Sequence, residues 1–449
     1  MKLPLLVPLA FLAAAAAALA ADLSKPNVIV ILCDDLGYGD VKANHPDSKI
    51  PTPHMDRLAR EGVRFTDAHT PSSVCTPTRY GLLTGRYNWR TKLQHGVLGG
   101  LSPRLIEQGR ETLASLLKKQ GYHTAVVGKW HLGMDWVKLP GREVSELSVE
   151  TAAQVRNVDY TQPFANGPLA VGFDRYFGIA ASLDMVPYTF LENDRVTVQP
   201  TIDRTFPLHP GYDPQCRVGP AAPGFEVEHV QPEFTRQAVR YIEDRARTGQ
   251  PFFLYLPLAS PHTPIAPNKE WIGKSGLNLY ADFVMETDWA VGQVLAALDR
   301  TGAAANTLVV FTSDNGCSPS AKIEVLAAKG HAVSGPLRGH KADVFDGGHR
   351  VPFFVRWPAR VKPAVSDQLV CLTDVFATCA EITGMRLPAN AGEDSFSFLP
   401  VLLGRGPSAR DSVVHHTISG AFAIRQGPWK LALCPGSGGW SAPDRKSVV

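Results

Sequence analysis

The sequence has no dense block of lysine or arginine, and its formal net charge of +3 is small for 449 residues. A nucleic-acid partner is therefore not expected. There is no Cys-x-x-Cys pair to suggest zinc or dithiol chemistry. The seven cysteines, at 33, 75, 216, 317, 371, 379 and 434, are odd in number and widely spaced, which excludes a dense disulfide framework. Cys33, Cys371 and Cys379 lie in apolar surroundings and read as buried thiols, while Cys216 and Cys434 stay open between paired and free. Internal repeats are absent. Beyond the N-terminus no apolar run is long enough to span a bilayer.

The N-terminus differs from the rest. Met1-Lys2 precedes an alanine-rich apolar run over 3–20 that ends Ala18-Leu19-Ala20. A basic start, an apolar stretch and a small-x-small end read as a secretory signal over residues 1–20. The competing reading is an uncleaved anchor, but alanine contributes little to insertion and Ala-x-Ala favours cleavage. Export to a periplasm or beyond is expected, with no membrane span once the signal is removed.

Short apolar runs at 28–32, 124–127, 252–258, 308–312 and 351–357 predict buried strands. Amphipathic patterns at 55–61, 111–120, 232–247 and 279–300 predict helices. Their alternation predicts an α/β fold with a large, mostly parallel mixed central sheet flanked by helices. Residues 140–231 are rich in Gly, Pro and Asn and read as loops. The pattern changes after about 387. Runs at 412–417, 421–425 and 429–433 predict short antiparallel strands, hence a small C-terminal subdomain over 387–449 beside a main domain over 21–386. The chain ends soon after Trp440, and this subdomain is expected to be truncated.

Asp34-Asp35 follows the first predicted strand and Asp314-Asn315 follows the fourth. In open α/β sheets, ligands bind beyond the carboxyl ends of strands. Three carboxylates and an amide oxygen would make a hard, oxygen-rich cation site, although each pair alone is more often a turn or a helix cap. Lys129 and His131, two apart in Gly128-Lys129-Trp130-His131, would point to the same side of an extended backbone. A cation beside an imidazole suits an anion or an acid/base step. His262 lies between prolines in Ser260-Pro261-His262-Thr263-Pro264. Other histidines, such as His54 and the pair His415-His416, read as surface or core residues.

Between these pairs lies Cys75-Thr-Pro77-Thr-Arg79-Tyr-Gly-Leu-Leu-Thr-Gly85-Arg86. Pro77 and the residues after it predict that Cys75 opens a helix. The string resembles the signature of the type I, formylglycine-dependent sulfatases of the alkaline-phosphatase-like superfamily. The resemblance extends over about 26–433, with its motifs in family order.

It implies hydrolysis of sulfate monoesters, those of a sulfated carbohydrate in an exported enzyme. It implies that a maturation enzyme oxidises Cys75 to formylglycine, whose hydrate attacks sulfur and passes through a covalent sulfo-enzyme. By the same resemblance, Asp34, Asp35, Asp314, Asn315 and the residue at 75 bind one divalent cation, calcium with magnesium as the alternative. Arg79 holds the hydrate. Lys129, His262 and Lys341 bind sulfate, and His131 orients or deprotonates the hydrate. Ser182 carries a much weaker match as a further substrate contact. Two competing readings remain: a phosphoester or phosphonate monoester hydrolase of the same superfamily, and a non-catalytic glycan-binding relative.

Overall fold

A computed structural model describes residues 25–206 and 216–442. The expected signal over 1–20 lies outside the described residues. A ten-stranded mixed sheet forms the centre. Its middle is the strand Asn27–Cys33, which pairs in parallel with Phe252–Pro257 on one side and Thr307–Ser313 on the other. His123–Lys129 and then Arg175–Ile179 continue the parallel run. These strands read as continuous apolar runs because both faces are covered: every residue from Val28 to Cys33 is buried.

The four expected parallel strands at 28–32, 124–127, 252–258 and 308–312 are present. The fifth, expected at 351–357, is shorter. It spans Phe353–Arg356 and runs antiparallel to Thr307–Ser313, with Val355 opposite Val310. Val63–Phe65 and Ala364–Ser366 extend the sheet beyond it. Arg175–Ile179 lies within the segment read as loops. It is a real strand, four of its five residues buried, because it docks against His123–Lys129.

The helices form two groups. Val230–Ala246 packs on Leu279–Arg300, which also meets Pro53–Glu61. Cys75–Thr84, Leu113–Lys119 and Asp374–Ile382 pack together. Leu279–Arg300 matches its predicted bounds, and Asn278 caps it by accepting from the Ala281 N–H. Leu113–Lys119 opens with a reciprocal cap: Thr112 Oγ1 accepts from Ser115 N, and Ser115 Oγ accepts from Thr112 N.

The expected antiparallel strands appear as Ser412–His416, Phe422–Gln426 and Trp429–Ala432. Ahead of them, Phe398 packs edge-on against Phe65 and Phe353 of the main core. Arg410 fastens the join. It gives Nε and Nη2 to the buried Asp374 carboxylate at 2.7 and 2.6 Å. It also reaches the Asp394 and Ser412 carbonyls. Removing one partner of a buried, hydrogen-bonded ion pair leaves the other charge uncompensated. Arg410→Ala should therefore lower unfolding stability by about 3–5 kcal/mol, read as a shifted midpoint in urea or heat.

All seven cysteines are free thiols, including Cys216 and Cys434. No helix among the described residues is long and apolar enough to cross a membrane.

Candidate active site

Three parallel strands, two of them neighbours and the third one strand further along, end on the same edge of the sheet and deliver the site. Asn27–Cys33 runs straight into Asp34-Asp35, Thr307–Ser313 into Asp314-Asn315, and His123–Lys129 ends on Lys129 itself. The two acidic turns are tied together. Asp35 N donates to Asp314 Oδ1 at 3.3 Å, Leu36 N to Ser313 Oγ at 3.0 Å, and Asn315 Nδ2 to Asp35 Oδ1 at 2.7 Å. Asp35 sits at φ +67°, a left-handed conformation that these bonds stabilise.

Cys75 is the first residue of the helix Cys75–Thr84 and is 2 % exposed. The whole helix is buried, which leaves it no amphipathic pattern. One turn along, Arg79 points back into the acidic turns. Its Nη2 and Nε lie 2.8 and 3.0 Å from Asp314 Oδ2, and its Nη1 donates to the Lys129 carbonyl at 3.0 Å. Lys129 Nζ is 2.5 Å from Asp34 Oδ2, and Lys341 Nζ is 2.7 Å from Asp35 Oδ1. Gly128 has φ +136°, and a Cβ there would stand 1.9 Å from the Pro257 carbonyl oxygen. Only glycine lets this strand turn toward the site so close to its neighbour.

His262 donates from Nδ1 to the Thr263 carbonyl at 2.7 Å, which leaves Nε2 unprotonated 3.7 Å from Asp35 Oδ2. His131 donates from Nε2 to the Leu98 carbonyl at 2.8 Å, so its bare Nδ1 is buried with no partner. Burial holds both imidazoles below their usual pKa. Lys341 adds to this for His262, and Lys129 and Arg79 for His131. Both rings are therefore neutral and can accept a proton.

Three carboxylates (Asp34, Asp35, Asp314) face three basic side chains (Arg79, Lys129, Lys341), all buried. Burial opposes the charge on Asp34, yet Lys129, Arg79 and Lys341 hold it well below the usual carboxylate range. Asp314 goes the other way: burial and the neighbouring Asp34 push it up to about 7. That crowding is what a bound cation relieves. Asp34 Oδ1 and Asn315 Oδ1 are buried and accept no hydrogen bond. Donor atoms of Asp34, Cys75 and Asp314 lie within 4.8 Å of one another, as do those of Asp34, Asp35 and His262. Orphaned hard oxygens beside further carboxylates fit a divalent ion. The Cys75 sulfur is a poor partner for such an ion, and burial raises its thiol pKa, which disfavours the thiolate.

Ser182 follows the strand Arg175–Ile179. Its hydroxyl is buried and unpartnered, and none of the bonds that knit the cluster involves it. Sequence reasoning missed the support beneath the Asp34–Asp35 turn. Asp40 is fully buried and accepts from Gly37 N at 2.7 Å, Tyr280 Oη at 2.5 Å and His331 Nε2 at 2.8 Å. Asp40 itself was within reach, five residues past Asp35. Tyr280 and His331 are hundreds of residues away and carry no local signal.

Residues 26–385 match the Sulfatase family. The chain is 33 % identical over 443 residues to an N-acetylgalactosamine-6-O-sulfatase of Bacteroides thetaiotaomicron, covering 90 % of this chain and 82 % of that one. It is 34 % identical over 433 residues to arylsulfatase A of Homo sapiens, covering 92 % and 76 %. A solved structure concerned with the metabolism of multiple glycosaminoglycans by Bacteroides thetaiotaomicron superposes with TM-score 0.79 at 32 % identity, covering 92 % and 88 %. A family match over most of the chain thus falls on the same strand ends that carry the acidic and basic cluster, and the chain belongs to the Sulfatase family, the sulfuric ester hydrolases.

Proposed function

We propose that this enzyme removes sulfate from a sulfated carbohydrate and that the residue at 75 works as formylglycine. The observation that carries the reading is the convergence of Asp34, Asp314 and Cys75 to within 4.8 Å, with carboxylate oxygen to spare. Asp34, Asp35, Asp314 and Asn315 would hold one divalent cation, calcium by preference for a many-oxygen site, with magnesium the alternative. When present, that ion supplies Lewis-acid polarisation of oxygen, and the hydrated aldehyde at 75 supplies the attacking hydroxyl.

The chain's own residues do the rest. Arg79 fixes Asp314 and the Lys129 backbone, which sets the distance between the cluster and the helix start. Lys129, Lys341 and His262 surround the place where sulfuryl oxygens gather charge. In a buried site such preorganised charge is worth far more than in water. Three carboxylates and three cations cancel, so a divalent ion leaves an excess of two positive charges to meet an anion. His131 offers its bare Nδ1 to take a proton near residue 75. His262 is neutral with an unprotonated Nε2, so the Lys341 ammonium is the better donor to the departing oxygen. Ser182 Oγ, buried and unpartnered, is a further contact for substrate.

The carbohydrate class draws support from the N-acetylgalactosamine-6-O-sulfatase at 33 % identity. A solved complex of Ps i-CgsB with k-i-k-neocarrahexaose, TM-score 0.66 at 25 % identity, points the same way. We assign residues 1–20 to an export signal, 21–386 to the catalytic unit and 387–449 to a small C-terminal unit, with a periplasmic or secreted destination. A maturation enzyme that oxidises Cys75 is the one required partner.

Peptide mass spectrometry around residue 75, on protein from a host with that maturation activity, should find the aldehyde in place of the thiol. The same preparation should hydrolyse an aryl sulfate much faster than the matching aryl phosphate. Thiol alone in active protein would sink the formylglycine assignment. Faster phosphate cleavage would move the enzyme to the phosphoester reading.

A further inference from the structure

A second buried cluster of titratable groups lies away from the reacting residues. His69, His349 and His415 are each at most 1 % exposed, and their ring nitrogens come within 4.8 Å of one another. His69 belongs to the edge pair formed by Ala68–His69 and Val370–Cys371, His349 ends the short helix Asp346–His349, and His415 lies on the strand Ser412–His416. The cluster therefore joins the C-terminal sheet to the main body.

A metal ion fits it poorly. Lys430 Nζ stands 2.6 Å from His349 Nε2, and Arg425 Nη1 stands 3.1 Å from His69 Nε2, so two cations already abut the rings. His349 and His415 lie face to face, centroids 3.5 Å apart and 15° from parallel. Their in-plane lone pairs run side by side rather than converging on one point, as a metal would require. The ring nitrogens already have protein partners. His349 Nε2 meets Lys430 Nζ and, at 3.1 Å, the Val344 carbonyl; His349 Nδ1 and His69 Nδ1 share one proton at 2.9 Å; and His69 Nε2 lies 3.0 Å from Asp67 Oδ1 as well as beside Arg425. His415 Nδ1 donates to the Thr70 carbonyl at 3.3 Å, and its buried Nε2 has no partner.

The cluster grips the chain just ahead of Cys75. Thr70 N donates to the His349 carbonyl at 2.8 Å from one side. From the other, Ser72 Oγ and Ser73 N donate to the His416 carbonyl at 2.8 and 3.0 Å, and His416 N donates to the Pro71 carbonyl at 3.1 Å. Ala342 N, next to Lys341, donates to the Ser73 carbonyl at 2.9 Å. We infer that His69, His349 and His415 form a proton-sensitive positioning joint, which holds the lead-in to Cys75 and Lys341 in register only while all three imidazoles are neutral.

The surrounding charges set the sign. Asp67 faces His69, Asp346 and Arg350 flank His349, and Arg425 and Lys430 come from the other strands of the C-terminal sheet. Cys371, opposite His69, is a thiol pushed up to about 11 and stays uncharged. Three cations against two carboxylates leave no room for an imidazolium, and burial lowers all three histidines, His349 and His415 furthest. A histidine with a depressed folded pKa binds its proton more readily unfolded. Its contribution to stability is complete above about pH 6.5 and is lost as pH falls below that value. His415 is the entry point, since its bare Nε2 can take a proton without first breaking a bond; the new charge then sits stacked on His349.

The link to Cys75 rests on the sulfatase reading, whereas the thermal readout below does not. Thermal midpoints of the full chain between pH 8 and pH 5 should fall below pH 6.5 by about 2 °C per pH unit for each proton taken up. His415→Phe keeps a stacked ring but cannot be protonated, so it should lose about that much less. The acid limb of its kcat profile should also move to lower pH at unchanged KM. His95→Gln, on an exposed loop, should track the wild type. A His415→Phe profile that superimposes on the wild type would overturn the joint, as would a transition metal retained at one per cluster. In the wild type the His415 imidazole, followed by NMR, should stay neutral to well below pH 6.5. Titration near 6.5 would equally overturn the proposal, whether or not the variant folds.

Discussion

Cys75→Ser is expected to lose turnover by more than about 10³-fold while folding normally, and to accumulate a sulfate ester on the serine. The side chain is 2 % exposed at the first position of a helix whose every residue is buried. Serine differs from cysteine there only by a smaller, harder atom, so packing changes little. Chemistry separates the two. A serine hydroxyl beside Lys129 and Lys341 can still attack sulfur, because the charges that stabilise the transition state are unaltered. It has no second hydroxyl with which to expel the sulfate. The hydrated aldehyde that we propose at this position has one. Loss of a nucleophile's function in other hydrolases costs several orders of magnitude, with residual rate supplied by binding and electrostatics alone. The check is a single-turnover assay with mass spectrometry of the peptide containing residue 75. Steady turnover near the wild-type rate by the serine variant would remove the need for an aldehyde.

The main strands of the fold were legible because the middle of the sheet is parallel and covered on both faces. Strands such as Asn27–Cys33 and Thr307–Ser313 therefore read as unbroken apolar runs with the acidic pairs at their ends. Arg175–Ile179 was not legible. Its five residues sit inside a long Gly- and Pro-rich stretch, and what makes them a strand is pairing with His123–Lys129, fifty residues earlier. The helix Cys75–Thr84 gave only its start. With all ten residues buried it has no polar face, and periodicity cannot mark it. Residues that sit at strand ends could be placed from sequence: Asp34, Asp35, Lys129, Asp314 and Asn315. Those that act through long-range bonds could not. His331 and Tyr280 reach Asp40 across more than two hundred residues, and His415 reads as an ordinary core histidine until His69 and His349 are seen against it.

Asp34→Asn should cost at least about 10³-fold in kcat/KM, the equivalent of several kcal/mol of lost electrostatic stabilisation, with a much smaller loss of thermal stability. The split follows from the charge count. Asp34 Oδ2 pairs with Lys129 at 2.5 Å, and Oδ1 lies 3.6 Å from Arg79 and accepts no hydrogen bond. Amide for carboxylate keeps the shape and one acceptor oxygen but removes one negative charge of three. Removing one partner of a buried pair usually destabilises strongly. Here the loss is offset in part, because burial and Asp34 together push Asp314 toward its neutral form. Without Asp34 that carboxylate ionises more readily and takes over part of the compensation of Lys129 and Arg79. No such substitution would be available to the divalent cation that we propose here, which would draw on the summed charge of all three carboxylates. Wild-type enzyme treated with a chelator should fall to a similar activity and recover on adding the ion back. Asp34→Asn should not recover at the same ion concentration, and elemental analysis should find it depleted of metal. An Asp34→Asn enzyme within tenfold of wild type, or one that keeps a full equivalent of ion, would show that this carboxylate is not a ligand.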